Sequence, residues 1–187
     1  MDAGQPTGTT GYDAAAQALL ATRLPFEAVH GHILHLIPDS PGRILDVGSG
    51  PGHDAATLAA RGHAVTAVEP TRALRDGAQA LYGSLPIQWL DDSLPRLERL
   101  TSASPEPFDF ILVEGVWAHL TAAERGEAFP VLAGLLRAGG AVAISLRHAP
   151  PRRVGSPIRS PPPRPPGSPN GRAWRRWWTS PPARSSP

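Results

Sequence analysis

Cysteine is absent from this chain of 187 residues, so neither a disulfide framework nor a thiolate metal site can be built, and the seven histidines show no clustered ligand spacing. Lysine is absent too. All 18 basic residues other than histidine are arginine, a usage that suggests a strongly GC-biased coding sequence. No run of about 18 apolar residues occurs, and the first ten residues, MDAGQPTGTT, lack a basic region followed by an apolar stretch. These absences lead to the expectation of a cytoplasmic protein with no membrane partner and no metal. Acid is missing from one region only. All 16 Asp and Glu lie in residues 1–150 beside 10 arginines, whereas residues 151–187 hold the other 8 arginines and no acid.

What the chain does have is a regular βα alternation, long enough for one domain with a real core. Tyr12 to Ile37 carries apolar residues at helical spacing, divided at Pro25, and predicts an N-terminal helical cap over residues 1–40. Helices are expected at His53 to Arg61, Arg72 to Tyr82, Leu94 to Leu100 and Ala122 to Arg137, with Gly62 and Gly139 at C-cap positions. The strand candidates LDV, VTAV, FILV and VAISL are apolar throughout, as in a parallel sheet covered on both faces. Right-handed crossovers then give an α/β fold with a doubly wound, mostly parallel open sheet, and ligands bind outside the carboxyl ends of such strands.

The first strand runs into RILDVGSGPG, with Gly48, Gly50 and Gly52 at alternate positions and Asp46 two before the first. Glycines there let the backbone press against a ligand that any side chain would obstruct. A dinucleotide fingerprint wants a small residue three after its second glycine, to seat a pyrophosphate at a helix N-terminus. Here that place is His53, and Gly52 follows Gly50 by two with Pro51 between. An NAD-dependent oxidoreductase is thereby disfavoured.

This stretch resembles the first motif of class I S-adenosylmethionine-dependent methyltransferases, and about four fifths of the chain follows that family in order and spacing. The resemblance implies a Rossmann-like methyltransferase fold with S-adenosyl-L-methionine as cofactor. Gly48, Ser49, Gly50 and Gly52 would form the cofactor loop, and Asp46 would either hold the cofactor's amino group or cap the following turn. Glu69, followed by Pro70, would accept from both ribose hydroxyls, a task suited to a carboxylate. Asp91 and Asp92 follow the third strand, where the family has an acid facing the adenine amino group. Asp92 is favoured, with Ser93 offering its N–H to the ring. Glu114 and Gly115 open the family's fourth motif, and Tyr12 stands where related enzymes cover the cofactor. His119, beside the expected transferable methyl, is the candidate catalytic base, with a structural or cofactor-edge role as the alternative. No Asn-Pro-Pro-Tyr type signature follows the fourth strand, so a small-molecule methyl acceptor is expected.

From Pro150 the alternation stops, and the domain is expected to cover residues 1–149. The family would continue with a helix and a final antiparallel hairpin, and both are missing from this stretch, which leaves Ala141 to Leu146 as an expected unpaired edge. Residues 150–187, rich in proline, arginine and serine, predict a disordered tail. Two readings of it stay open. It is a basic arm whose arginines meet phosphates and whose Trp174, Trp177 and Trp178 stack on bases, the one route to nucleic acid, or the translation of a wrong frame, the favoured reading. A non-catalytic cofactor-binding fragment is the remaining alternative. Acceptor identity and oligomeric state are not written in these residues.

Overall fold

A computed structural model describes residues 9–103, 105–146 and 173–175, the last three by their backbone alone. Strands β1 (Arg43–Val47), β2 (Ala64–Val68), β3 (Ile87–Leu90), β4 (Phe108–Val113) and β5 (Leu136–Leu146) form a parallel sheet, joined at one edge by the short antiparallel β6 (Ala173–Arg175). The order is β3-β2-β1-β4-β5-β6. The direction of progression reverses between β1 and β4, and this switch point is where an open α/β sheet leaves a crevice at its strand ends.

Side chains alternate across each strand and divide the core in two. Leu45 and Val47 of β1, with Phe108, Ile111 and Val113 of β4, pack against α5 (Glu98–Ser102) and α6 (Ala122–Leu135). Ile44, Phe110 and Leu112 face the other way, toward α2 (Phe26–His30) and α3 (His53–Ala60). Every one of these strand residues is at most 1% exposed, so the continuous apolar runs follow from burial on both faces. Helices α1 (Tyr12–Ala21) and α4 (Arg72–Tyr82) pack on each other, and Gly77 makes room for Leu20 of α1.

Three details differ from expectation. The helix expected over Leu94–Leu100 is a turn followed by α5, because Leu97 takes a left-handed conformation (φ 49°) and the Asp92 carboxylate accepts the Leu100 N–H. Helix α6 stops at Leu135, and Gly139 (φ 83°) lies within β5, where the register against β4 shifts between Phe108 and Phe110. The unpaired edge expected along Ala141–Leu146 is corrected over its last three residues, since Ile144, Ser145 and Leu146 pair with Arg175, Trp174 and Ala173. The expected disordered tail, and the domain boundary at 149/150, otherwise lie outside the described residues. Among the described residues no helix is long and apolar enough to cross a membrane, and no group of His, Asp and Glu could hold a metal ion.

Candidate functional site

The glycine loop is fixed to the end of β2 by main chain. Gly48 and Ser49 donate to the Val68 carbonyl at 2.8 and 2.9 Å, and Gly52 donates to that of Ser49 at 2.9 Å. Gly48 (φ 70°) cannot be replaced, because a Cβ there would collide with the Val116 side chain. Gly50 (φ 52°) is different: a Cβ would meet nothing within 4 Å and would project into open space. Gly52 would meet Trp89 and Ala78, so its task is close packing of the loop on β3 and α4, off the cleft wall.

Glu69 ends β2 at 5% exposure. One carboxylate oxygen accepts the Gly50 N–H at 2.9 Å and the other the Thr71 N–H at 2.7 Å, which aims the group and leaves each oxygen able to accept again. Burial raises its pKa, opposed by those two N–H groups and the Arg75 charge. Arg75 in turn donates to the Glu69 carbonyl at 2.6 Å and pairs with Asp91 at 3.2 Å, tying the ends of β2 and β3 together.

That ion pair gives the two adjacent acids different surroundings. Asp91, exposed, is turned toward Arg75 and does not line the cleft, whereas Asp92 and Ser93 do. The Asp92 carboxylate accepts the Ser93 N–H at 2.8 Å and the Leu100 N–H at 2.9 Å, so it also organises the turn leading to α5.

Asp46 shares the face of Ile44, beneath the first turn of α3, at 2% exposure. Its pKa lies well above the usual carboxylate range, first because of burial and then because of the neighbouring carboxylates of Asp54, Glu69 and Glu114; the Ala55 N–H opposes the rise. Asp46 Oδ2 and Ser49 Oγ are buried without a hydrogen-bond partner, and both sit behind the cleft wall rather than on it. Orphaned acceptors among carboxylates suit a cationic, hydrogen-bond-donating ligand.

The opposite end of the cleft is built from remote segments. A Thr121–Glu124 capping box starts α6, and Arg125 donates to the Trp117 carbonyl at 3.1 Å, which holds the loop carrying Val116 and His119. Gly115 donates to the buried Ser145 hydroxyl at 2.7 Å. From α1, the Tyr12 hydroxyl reaches His119 Nε2 at 3.2 Å, with the rings edge to face. The resulting cleft has a cavity volume of about 200 Å³. It brings together Tyr12, Gly48, Gly50, Glu69, Pro70, Asp92, Ser93, Glu114, Gly115 and His119 of the sequence candidates. Sequence reasoning missed Thr9, Leu19, Leu74, Leu94 and Leu120, apolar or small residues with no signal beyond helical or strand periodicity. Thr71 and Arg75 were also missed; their only clue is position two and six residues after Glu69.

Residues 44–140 match the model of a family described as a methyltransferase domain. An uncharacterized methyltransferase of Geobacillus thermodenitrificans is 31% identical over 120 residues, 62% of this chain and 52% of that protein. Another from Geobacillus kaustophilus is 32% identical over 117 residues, with the same coverage. The chain thus spans about half the length of the curated relatives it matches. Among solved structures, a TehB-like SAM-dependent methyltransferase from Corynebacterium glutamicum superposes with a TM-score of 0.56 at 24% identity, over 73% of this chain and 69% of that one, a likeness of fold. With its glycine loop and Glu69 at the strand ends of a 3-2-1-4-5 sheet, the chain belongs to the methyltransferase-domain family, of the class I S-adenosylmethionine-dependent type.

Proposed function

We propose that the protein transfers a methyl group from S-adenosylmethionine to a small-molecule acceptor. The observation that carries this reading is Glu69, buried yet pointed into the cleft by the Gly50 and Thr71 N–H groups. The residues present fit the cofactor. Glu69 would accept the ribose hydroxyls, and Asp92 and Ser93 would meet the adenine edge. The glycine spacing, with His53 three residues after Gly50, argues against a dinucleotide.

When bound, S-adenosylmethionine supplies a methyl carbon on a sulfonium sulfur, already a strong electrophile. The protein's contribution is then largely placement, holding the acceptor's lone pair in line with that carbon and keeping water out. The cofactor would supply the methyl group to the acceptor and leave as S-adenosylhomocysteine. His119, on the cleft wall, is the group we assign to take a proton from the acceptor.

Calorimetry tests the cofactor reading. S-adenosylhomocysteine should bind and NAD should not; tight binding of NAD, or no binding of either, would overturn it.

A further inference from the structure

Val68, Glu69, Leu74, Leu94 and Leu120 all line the cleft, yet none is more than 7% exposed, so a ligand as large as an adenosyl cofactor reaches Glu69 only when part of the wall moves. Most of the wall is pinned. The glycine loop is bonded to the Val68 carbonyl, the loop of Val116 and His119 is held by Arg125 and by the bond from Gly115 to Ser145, and α4 buries Leu74 and Ala78. Helix α1 is the exception. Of its ten residues only Ala16 is buried, against four of eight in α3, and residues 21–25, which join it to α2, are all exposed. Segments with so little burial are those that open at the lowest free-energy cost.

This weakly anchored helix also bridges the two sides of the crevice. It packs on α4, which follows β2, with Leu20 against Gly77 and the Ala73 N–H donating to the Asp13 carboxylate at 3.4 Å; at its first residue the Tyr12 hydroxyl meets His119 Nε2, after β4, at 3.2 Å. Strands β2 and β4 stand on either side of β1. Thr9, Tyr12 and Leu19 thus close the cleft from the N-terminal segment, with the exposed connection at one end of α1 and the contact to His119 at the other. We propose, on the cofactor reading above, that α1 is a lid: it swings on residues 21–25 to admit and release the adenosyl cofactor, and the Tyr12–His119 contact is its latch. The latch joins two side chains of the protein and uses no ligand atom, so it slows entry and release alike and leaves affinity nearly unchanged.

The test follows S-adenosylhomocysteine entering and leaving the full chain by stopped-flow mixing. Tyr12→Phe should speed both entry and release by about five-fold, the weight of one hydrogen bond, while their ratio stays close to that of wild type. A second variant locks the lid. The chain has no cysteine, so Tyr12→Cys combined with His119→Cys creates a single pair of thiols that a bismaleimide with a cleavable disulfide spacer can join. Joined, this protein should exchange S-adenosylhomocysteine about ten-fold or more slowly than after the spacer is cut, because the lid can no longer swing. Equal rates before and after cutting would overturn the lid, and unchanged rates in Tyr12→Phe, or a change confined to release, would overturn the latch, with the cofactor reading intact in each case. Failure of S-adenosylhomocysteine to bind the wild-type chain would instead overturn the cofactor reading, and with it what the lid admits.

Discussion

Along β1, β2 and β3 the acids of the cleft are held by main chain, Glu69 by the Gly50 and Thr71 N–H groups and Asp92 by those of Ser93 and Leu100. At the β4 and α1 end the comparable contact is one side chain on another, Tyr12 on His119, across 107 residues. Backbone partners cannot be substituted away, so the first end is positioned by the fold itself. The second end depends on side chains, Tyr12 on His119, Arg125 on the Trp117 carbonyl and Ser145 on the Gly115 N–H, and on the packing of α1. Within a fold that keeps one cofactor, the end made from side chains is the one free to change its acceptor.

The sharpest way to break this contrast is at Glu69. Glu69→Ala should weaken S-adenosylhomocysteine binding by about 2 to 4 kcal/mol, since two charge-assisted hydrogen bonds are lost and two loop N–H groups are orphaned. Unchanged affinity in calorimetry would mean the cofactor lies elsewhere. A smaller loss, about 1 to 3 kcal/mol in both cofactor affinity and stability, is expected for Asp92→Ala, because that carboxylate also secures the turn before α5. Asp91→Ala should cost less than Asp92→Ala, and equal losses would show that the exposed acid shares the adenine.

Arg75→Ala is expected to lower cofactor affinity by about 1 kcal/mol through loss of its clamp on the Glu69 carbonyl and Asp91. Combined with Asp91→Ala it should add almost nothing, and full additivity would refute the clamp. The smallest effect belongs to the other end. Tyr12→Phe should leave S-adenosylhomocysteine affinity within about 0.5 kcal/mol of wild type. Its signature is a changed pH profile of turnover, because the hydroxyl beside His119 is gone. A large loss of cofactor affinity would place both ends under one control.

Protonation offers a further comparison. Asp46 and Glu69 have folded-state pKa values raised by burial, so unfolding releases protons and their ionisation opposes folding. Without ligand, what these two groups contribute to stability should therefore be fully present in acid and decline as pH rises from the ordinary carboxylate range through the raised values. Denaturation across that window should show a flatter decline for Asp46→Asn than for wild type; identical slopes would exclude Asp46 as the cause.

How much of this was legible follows the same division. RILDVGSGPG, the acid after VTAV and the pair after IQWL are local patterns, and each lies at a strand end where a covered parallel strand must stop. The contact between Tyr12 and His119 has no local signature, whereas Asp92 was favoured over Asp91 from Ser93 beside it, and Asp91 turns toward Arg75. The expected helix at Leu94–Leu100 failed for a related reason: apolar spacing suggested it, but Asp92 captures the Leu100 N–H and a left-handed Leu97 redirects the chain. Side chain to backbone bonds of this sort compete with helix formation without disturbing apolar periodicity.

The span between Tyr12 and His119 also bears on how the molecule is made. During synthesis α1 leaves the ribosome first, yet its partner across the cleft is encoded 107 residues later, after β1 to β4. The cofactor end, whose polar contacts join residues within a 51-residue stretch from Gly50 to Leu100, can close while the chain is still growing. The end that joins Tyr12 to His119 is completed last, after α4 has become available to cover α1.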